Sequence, residues 1–281
     1  MGGGFRIVGI KGEGSMPGFV FYEGPSRIDR QPIVGIATYG TENAKTGNLV
    51  QTWILRSDIH PINAINLGAD SSICGSCPLR GRIADASERT KKSDKFNTTP
   101  TVNKGRGCYV AVQNAPLQVF TSYQRGSYPH LSDEASSILA GRGLRYGSYG
   151  DPVAIPIKYW DSLVRYCTGK AEPGYTHQWR DKRFADWSKR VMASTHSLAE
   201  NELAHSMGWR TFRLIADVSD CSDVEIICPA SAEGGFKATC EKCGACNGRR
   251  GMGEGDMRHS VVIVAHGGDA KLGGALKTIV S

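Results

Sequence analysis

Apolar and polar positions follow two different rhythms along the chain. As far as residue 60 the apolar positions come in short runs rich in β-branched and aromatic side chains, Phe5–Ile10, Gly18–Tyr22, Ile33–Thr38 and Val50–Leu55, parted by Gly, Pro and Asn. Runs of that length and make-up predict strands, and their close succession predicts an antiparallel, β-rich N-terminal cap. Between 82 and 106 the pattern fades into a polar, basic stretch that predicts a loop, either a solvated linker or an arm that closes over a polyanion. From Tyr109 onward, strand-length runs alternate with helical periodicity. Strands are expected over Tyr109–Val112, Leu144–Tyr149, Tyr175–Trp179, Val191–Ser194, Thr211–Ala216, Val224–Cys228 and Val261–Ala265, and helices over Ser132–Ala140, Ile157–Cys167 and Leu198–Met207. Ser132-Asp-Glu and Ser197-Leu-Ala-Glu200 read as helix starts, the second a capping box, while Gly169 and Gly208 read as stops. Such alternation predicts a largely parallel sheet. The expected fold is α/β and (β/α) barrel-like, complete or not, with the β-rich region and its basic loop in 1–106 and the catalytic region in 107–281.

Composition adds limits. With 281 residues, 40% hydrophobic and 22% charged, the chain can bury a substantial core, which excludes global disorder. No apolar run approaches the roughly 20 residues of a membrane helix, so no membrane partner is expected. Met1-Gly-Gly-Gly-Phe5 carries neither the charged nor the apolar part of a secretory signal, so the expected location is cytoplasmic. The charge changes the picture more: 34 Lys and Arg against 27 Asp and Glu give +7, which favours a polyanionic partner.

Cysteine spacing is the strongest chemical signal. Cys228, Cys240, Cys243 and Cys246 follow the pattern C-x11-C-x2-C-x2-C. Two-residue spacers turn successive thiolates onto one tetrahedral ion, so the set predicts a structural Zn²⁺ within a cysteine-rich zinc loop over 228–258, with iron–sulfur ligation as the other occupant. Either His259 or His266 could replace one thiolate. Arg249 and Arg250 follow directly and are placed to meet phosphate. A second group, Cys74-Gly-Ser-Cys77 with Cys108 about thirty residues on, reads as either a metal site completed by a His or a simple turn. Cys167 reads as core.

In a barrel, reactive groups sit at the C-terminal strand ends. That rule selects Asp151 after strand 144–149, His177 on strand 175–179, His196 after strand 191–194 and Asp217 after strand 211–216. Asp151 is either the expected nucleophile or a cap of the following helix, with His196 and Asp217 as general acid/base or base-recognition partners. Tyr149, His177 and Arg125 are expected to bind substrate, and the stretch Phe120–Pro129 to line the mouth. No G-x-G-x-x-G follows a strand and no Walker A sequence is present, which excludes those nucleotide motifs.

The pieces Cys-x2-Cys-Pro-x-Arg80, Gly-Cys-Tyr109, Arg145-x-Gly-x-Tyr-Gly-Asp151-Pro, Tyr-Thr-His177-Gln-Trp, Met-Ala-Ser194 and the late cysteine set resemble a family of bacteriophage proteins, over about residues 70–270. A barrel with a late cysteine-rich zinc loop is also similar in architecture to the guanine-exchanging transglycosylases of tRNA and to their phage relatives that insert 7-deazaguanines into DNA. That resemblance implies an enzyme, a pentosyltransferase that replaces guanine in phage DNA with a 7-deazaguanine such as preQ0 through an aspartyl covalent intermediate, with DNA or tRNA as partner. Two other classes stay open: a non-catalytic zinc-containing nucleic-acid-binding protein and an iron–sulfur enzyme.

Overall fold

The computed structural model describes residues 17–40, 44–83, 103–248, 256 and 258–265. The expected strand Phe5–Ile10, most of the basic loop, and Arg249, Arg250 and His266 lie outside them. Strands β1 (Gly18–Pro25), β2 (Pro32–Thr38) and β3 (Val50–Arg56) pair antiparallel. Almost every residue of β2 and β3 is buried, and strands covered on both faces read as unbroken apolar runs. Short helices α1 (Pro61–Asn66) and α2 (Ser71–Cys74) follow, then the ribbon of β4 (Arg82–Ile83) with β5 (Asn103–Lys104), then α3 (Ala115–Gln124), α4 (Ala135–Leu139) and β6 (Leu144–Tyr149). The remainder comprises α5 (Ile157–Tyr166), β7 (Tyr175–Thr176), β8 (Met192–Thr195), α6 (Leu198–Ser206), β9 (Thr211–Ile215), β10 (Glu225–Ile227), α7 (Cys240–Cys243) and β11 (Ser260–Val264).

The architecture is α/β, with sheets of order β1-β2-β3-β6 and β10-β11-β9-β8-β7. Every neighbouring pair in the second sheet is parallel. β3 pairs parallel with β6, and a parallel bridge from Tyr146 to Gly174 joins β6 to the chain entering β7. The antiparallel strands are therefore not a separate cap, because β3 carries the sheet across the division expected at 106/107. Among the described residues no strand pairing closes the sheets into a ring. No helix there is long and apolar enough to cross a membrane.

An aromatic cluster fills the space between β1, β6 and α5. The Trp160 ring lies 4.8 Å from Phe21, 4.9 Å from Tyr146 and 6.1 Å from Trp187, centroid to centroid, and its Nε1 donates to the Pro152 carbonyl at 3.0 Å.

Several expectations are corrected locally. No strand forms over 109–112, and Phe120–Gln124 is the last part of α3. The Ser132 side chain caps nothing, since α4 begins later with Glu134 as its N-cap residue. Gly169 is required for close packing, not for a left-handed stop: a Cβ there would lie 2.3 Å from the Gly143 nitrogen. Gly208, at φ +84°, does end α6.

Trp160→Ala should cost about 3–5 kcal/mol by opening a cavity among these rings. A urea midpoint unchanged from wild type would contradict the role given to this cluster.

Candidate active site

The site begins with two glycines in β6 and the turn after it. Gly147 (φ +64°) and Gly150 (φ +86°) adopt the left-handed conformation, and a Cβ on Gly147 would come within 2.3 Å of the Gly150 carbonyl oxygen. Thr52 Oγ1 accepts from Gly147 N at 2.8 Å and donates to the Arg145 carbonyl at 2.7 Å, where the β3–β6 register breaks. This bend delivers Asp151 into the interior, and its N–H bonds the Ile73 carbonyl of α2 at 2.6 Å.

Asp151 is 6% exposed and its carboxylate is fully engaged. Oδ2 accepts from Thr176 Oγ1 (3.0 Å), His177 N (2.9 Å) and Gln178 Nε2 (3.3 Å), and Oδ1 accepts from Val153 N (3.2 Å). Burial raises its pKa above the usual carboxylate value, against the opposing effect of His177 and these bonds. The same contacts draw the chain out of β7, which explains why that strand stops at Thr176 instead of reaching Trp179. Gln178 extends the network: Nε2 donates to the Cys74 carbonyl (3.1 Å), and Oε1 accepts from Ser76 N (3.2 Å) and Ser76 Oγ (3.0 Å).

Beyond the strand ends, His177 and His196 stack with their Nε2 atoms 3.2 Å apart, and Cys77 Sγ lies 3.8 Å from His177 Nε2. One ring must donate to the other, so the pair holds at most one proton between the two nitrogens. Burial lowers both imidazoles, His196 to about 4 with His177 as the second cause. The α6 N-terminus fixes His196 from behind: Ser197 Oγ caps Glu200 N at 3.2 Å, and the Glu200 carboxylate accepts from His196 N at 2.7 Å.

These groups border a cavity of about 390 Å³. It runs from Arg145 and Tyr175, near the strand starts, through Tyr149, Phe212 and Leu214 to Asp151, His177 and His196 past the strand ends. The wall takes alternate residues from β9 and from the β7 and β8 segments, and the continuous run Gly147–Asp151 from the end of β6. Lys45 and Arg145 supply positive charge, with Arg145 Nη2 donating to Tyr109 Oη at 2.9 Å.

Of the residues expected from sequence, Tyr149, Asp151, His177 and His196 meet in this cavity. Asp217 does not: it is exposed and caps the turn Val218–Asp220 in a capping box. Arg125 is exposed at the end of α3 and does not border the cavity. Sequence reasoning missed Arg145 and Lys45; the first was legible as an arginine on the inward phase of β6.

Both cysteine groups reach the same region. Cys74, Cys77 and Cys108 line the large cavity together with Cys228 and Cys240, and a second cavity of about 10 Å³ is lined by Cys228, Cys240, Cys243 and Cys246. Burial pushes Cys246 up to about 12, with the three neighbouring thiols adding to the effect. Burial also pushes Cys77 up to about 12, although Leu79 and Arg80 point backbone N–H groups at its sulfur. As the side chains stand, no three His, Cys, Asp or Glu among the described residues form a group that could hold an ion.

Because the folded His196 value lies below that of free imidazole, the unfolded chain binds the extra proton. Stability should therefore fall as pH drops from about 6.5 to about 4, by up to about 1.4 kcal/mol per pH unit. Urea unfolding of wild type and His196→Gln at pH 7 and pH 5 measures it: the variant should lose less stability on acidification, and equal losses would refute the assignment.

No protein-family model, curated protein or solved structure matches the chain.

Proposed function

We propose that the chain is an enzyme acting on a nucleotide unit, free or within nucleic acid, in the 390 Å³ cavity. The observation that carries the reading is the convergence of Tyr149, Asp151, His177 and His196 on one cavity past the ends of parallel strands, where α/β folds present their reactive groups. We read the parallel strands as an incomplete (β/α) barrel and the cavity as its lumen. Arg145 and Lys45 suit a phosphate. Tyr149, Tyr175 and Phe212 offer faces for a base. The imidazole pair holds and moves the proton.

Exchange of guanine for a 7-deazaguanine in DNA is the specific reaction the resemblance implies, and the same convergence favours it as a second reading. Its covalent form needs a carboxylate nucleophile. Asp151 could serve only by giving up four hydrogen bonds, so we assign it to positioning and assign proton transfer to His177 and His196.

We read Cys228, Cys240, Cys243 and Cys246 as the ligands of one Zn²⁺. The donor set fits: four thiolates around a cavity of about 10 Å³, roughly the room that one water-sized atom needs. Bound there, zinc would staple the segment from 228 to the chain entering β7, since Pro173 lines the same cavity.

Calorimetric titration of the full chain with dGMP and with a short DNA tests the substrate class. Arg145→Gln should weaken phosphate-bearing ligands about tenfold, or about 1.4 kcal/mol, and failure of wild type to bind either ligand would overturn the reading. Incubation with DNA and preQ0, followed by nucleoside mass spectrometry, decides base exchange: incorporation supports it, and none removes that reaction while leaving the nucleotide site. Cys243→Ser should lower zinc content and melting temperature together, and native values of both would refute the zinc site.

A further inference from the structure

We propose that Cys74, Cys77 and Cys108 hold a polynuclear iron–sulfur cluster, with one iron left without a protein ligand and facing the large cavity beside His177. The site rests on its own donor set and does not depend on the nucleotide reading.

The fold brings three thiols from two segments to one wall. Gly75, at φ +54°, turns the chain between Cys74 and Cys77, and Cys77 N bonds the Cys74 carbonyl at 3.1 Å. The third thiol arrives because Gly107 N bonds the Leu79 carbonyl at 2.9 Å, which fastens the Cys108 segment to the turn that follows Cys77. All three residues line the 390 Å³ cavity. The other cysteines on that wall, Cys228 and Cys240, belong to the four-thiol set around the small cavity.

Volume separates the two sets. A cavity of about 10 Å³ suits one ion, whereas about 390 Å³ has room for a unit of several metal and sulfide atoms together with a substrate. Three thiolates on a four-iron cluster leave one corner open for an oxygen or nitrogen of the substrate.

Buried donors without partners stand where the cluster would need them. Arg106 Nη2 and Tyr149 Oη are both buried and make no hydrogen bond, and each side chain feels the charge of Cys74 and Cys108. Orphaned buried donors are rare and call for a ligand. The sulfides and thiolates of an anionic cluster accept such bonds, and the Arg106 guanidinium, held by Asp70 at 3.3 Å, would offset its charge. The N–H groups of Leu79 and Arg80 directed at Cys77 Sγ complete a thiolate-binding environment.

The test uses the full chain, purified without oxygen and reconstituted with iron and sulfide. Iron, acid-labile sulfide, visible absorbance and the electron paramagnetic resonance of the dithionite-reduced protein are measured. Wild type, Cys243→Ser and the control Cys221→Ser should share a cluster of about four irons and four sulfides. Cys77→Ser and Cys108→Ser should lose most of it while their circular dichroism stays native. Tyr149→Phe should keep the iron and shift the reduction potential to a more negative value, since it removes a hydrogen bond to the cluster. A colourless wild-type protein, a single ion without sulfide, or full iron in Cys108→Ser would overturn the proposal, and an unchanged potential in Tyr149→Phe would remove that residue from it.

Discussion

The Asp151 carboxylate takes hydrogen bonds from Val153 N, Thr176 Oγ1, His177 N and Gln178 Nε2, and its own N–H reaches α2. Through these contacts the end of β6, the end of β7 and the Cys74–Cys77 turn become one unit. Ionised in a buried place, such a group is stable only while its donors remain, and each donor left unpaired would cost about 1–3 kcal/mol. That mutual need explains several features at once: the short β7, the left-handed glycines that aim Asp151 inward, and the reach of Gln178 to the cysteine turn. It also explains why a residue that reads as a nucleophile is better described as the keystone of the cavity wall.

The cavity built on this wall is chemically divided along its length. Lys45 and Arg145 lie near the strand starts with Cys240, whose N–H bonds the Lys45 carbonyl at 2.9 Å, the rings of Tyr149, Tyr175 and Phe212 line the wall, and the two imidazoles stand past the strand ends beside Cys77. In the proposed reading, phosphate, base and reacting atom match these zones in order. The second cysteine set borders the same space through Cys228 and Cys240, so an ion there would brace one side of the cavity without taking part in the chemistry. At 3.2 Å between Nε2 atoms, the other side carries two hydrogen-bonded imidazoles that burial keeps uncharged at neutral pH.

Much of this was legible in the residues, and the failures share a cause. β6 and α6 follow their sequence patterns closely because period, cap and stop agree: Ser197 caps α6 and Gly208 ends it. Tyr149, Asp151, His177 and His196 could be found because they follow parallel strands, and the position past a strand end is readable from order alone. The strand ending at Thr176 and the missing strand at 109–112 were not readable, since tertiary contacts to Asp151 and Arg145 override the local apolar pattern. The same limit applies to Asp217, whose place after β9 resembles that of Asp151. Its carboxylate serves a local capping box instead, a use set by Ser219 and Asp220 two and three residues on.

The central claim is that a cavity walled by Asp151 and its partners is a metal-bearing active centre. Anomalous diffraction from anaerobically grown crystals of the full chain, recorded at the iron and zinc edges, tests it most directly. The account predicts an iron peak within bonding distance of Cys74, Cys77 and Cys108, a separate zinc peak among Cys228, Cys240, Cys243 and Cys246, and His177 beside the first. Absence of iron from the cavity in crystals of reconstituted protein, with the three thiols turned away from one another, would contradict it.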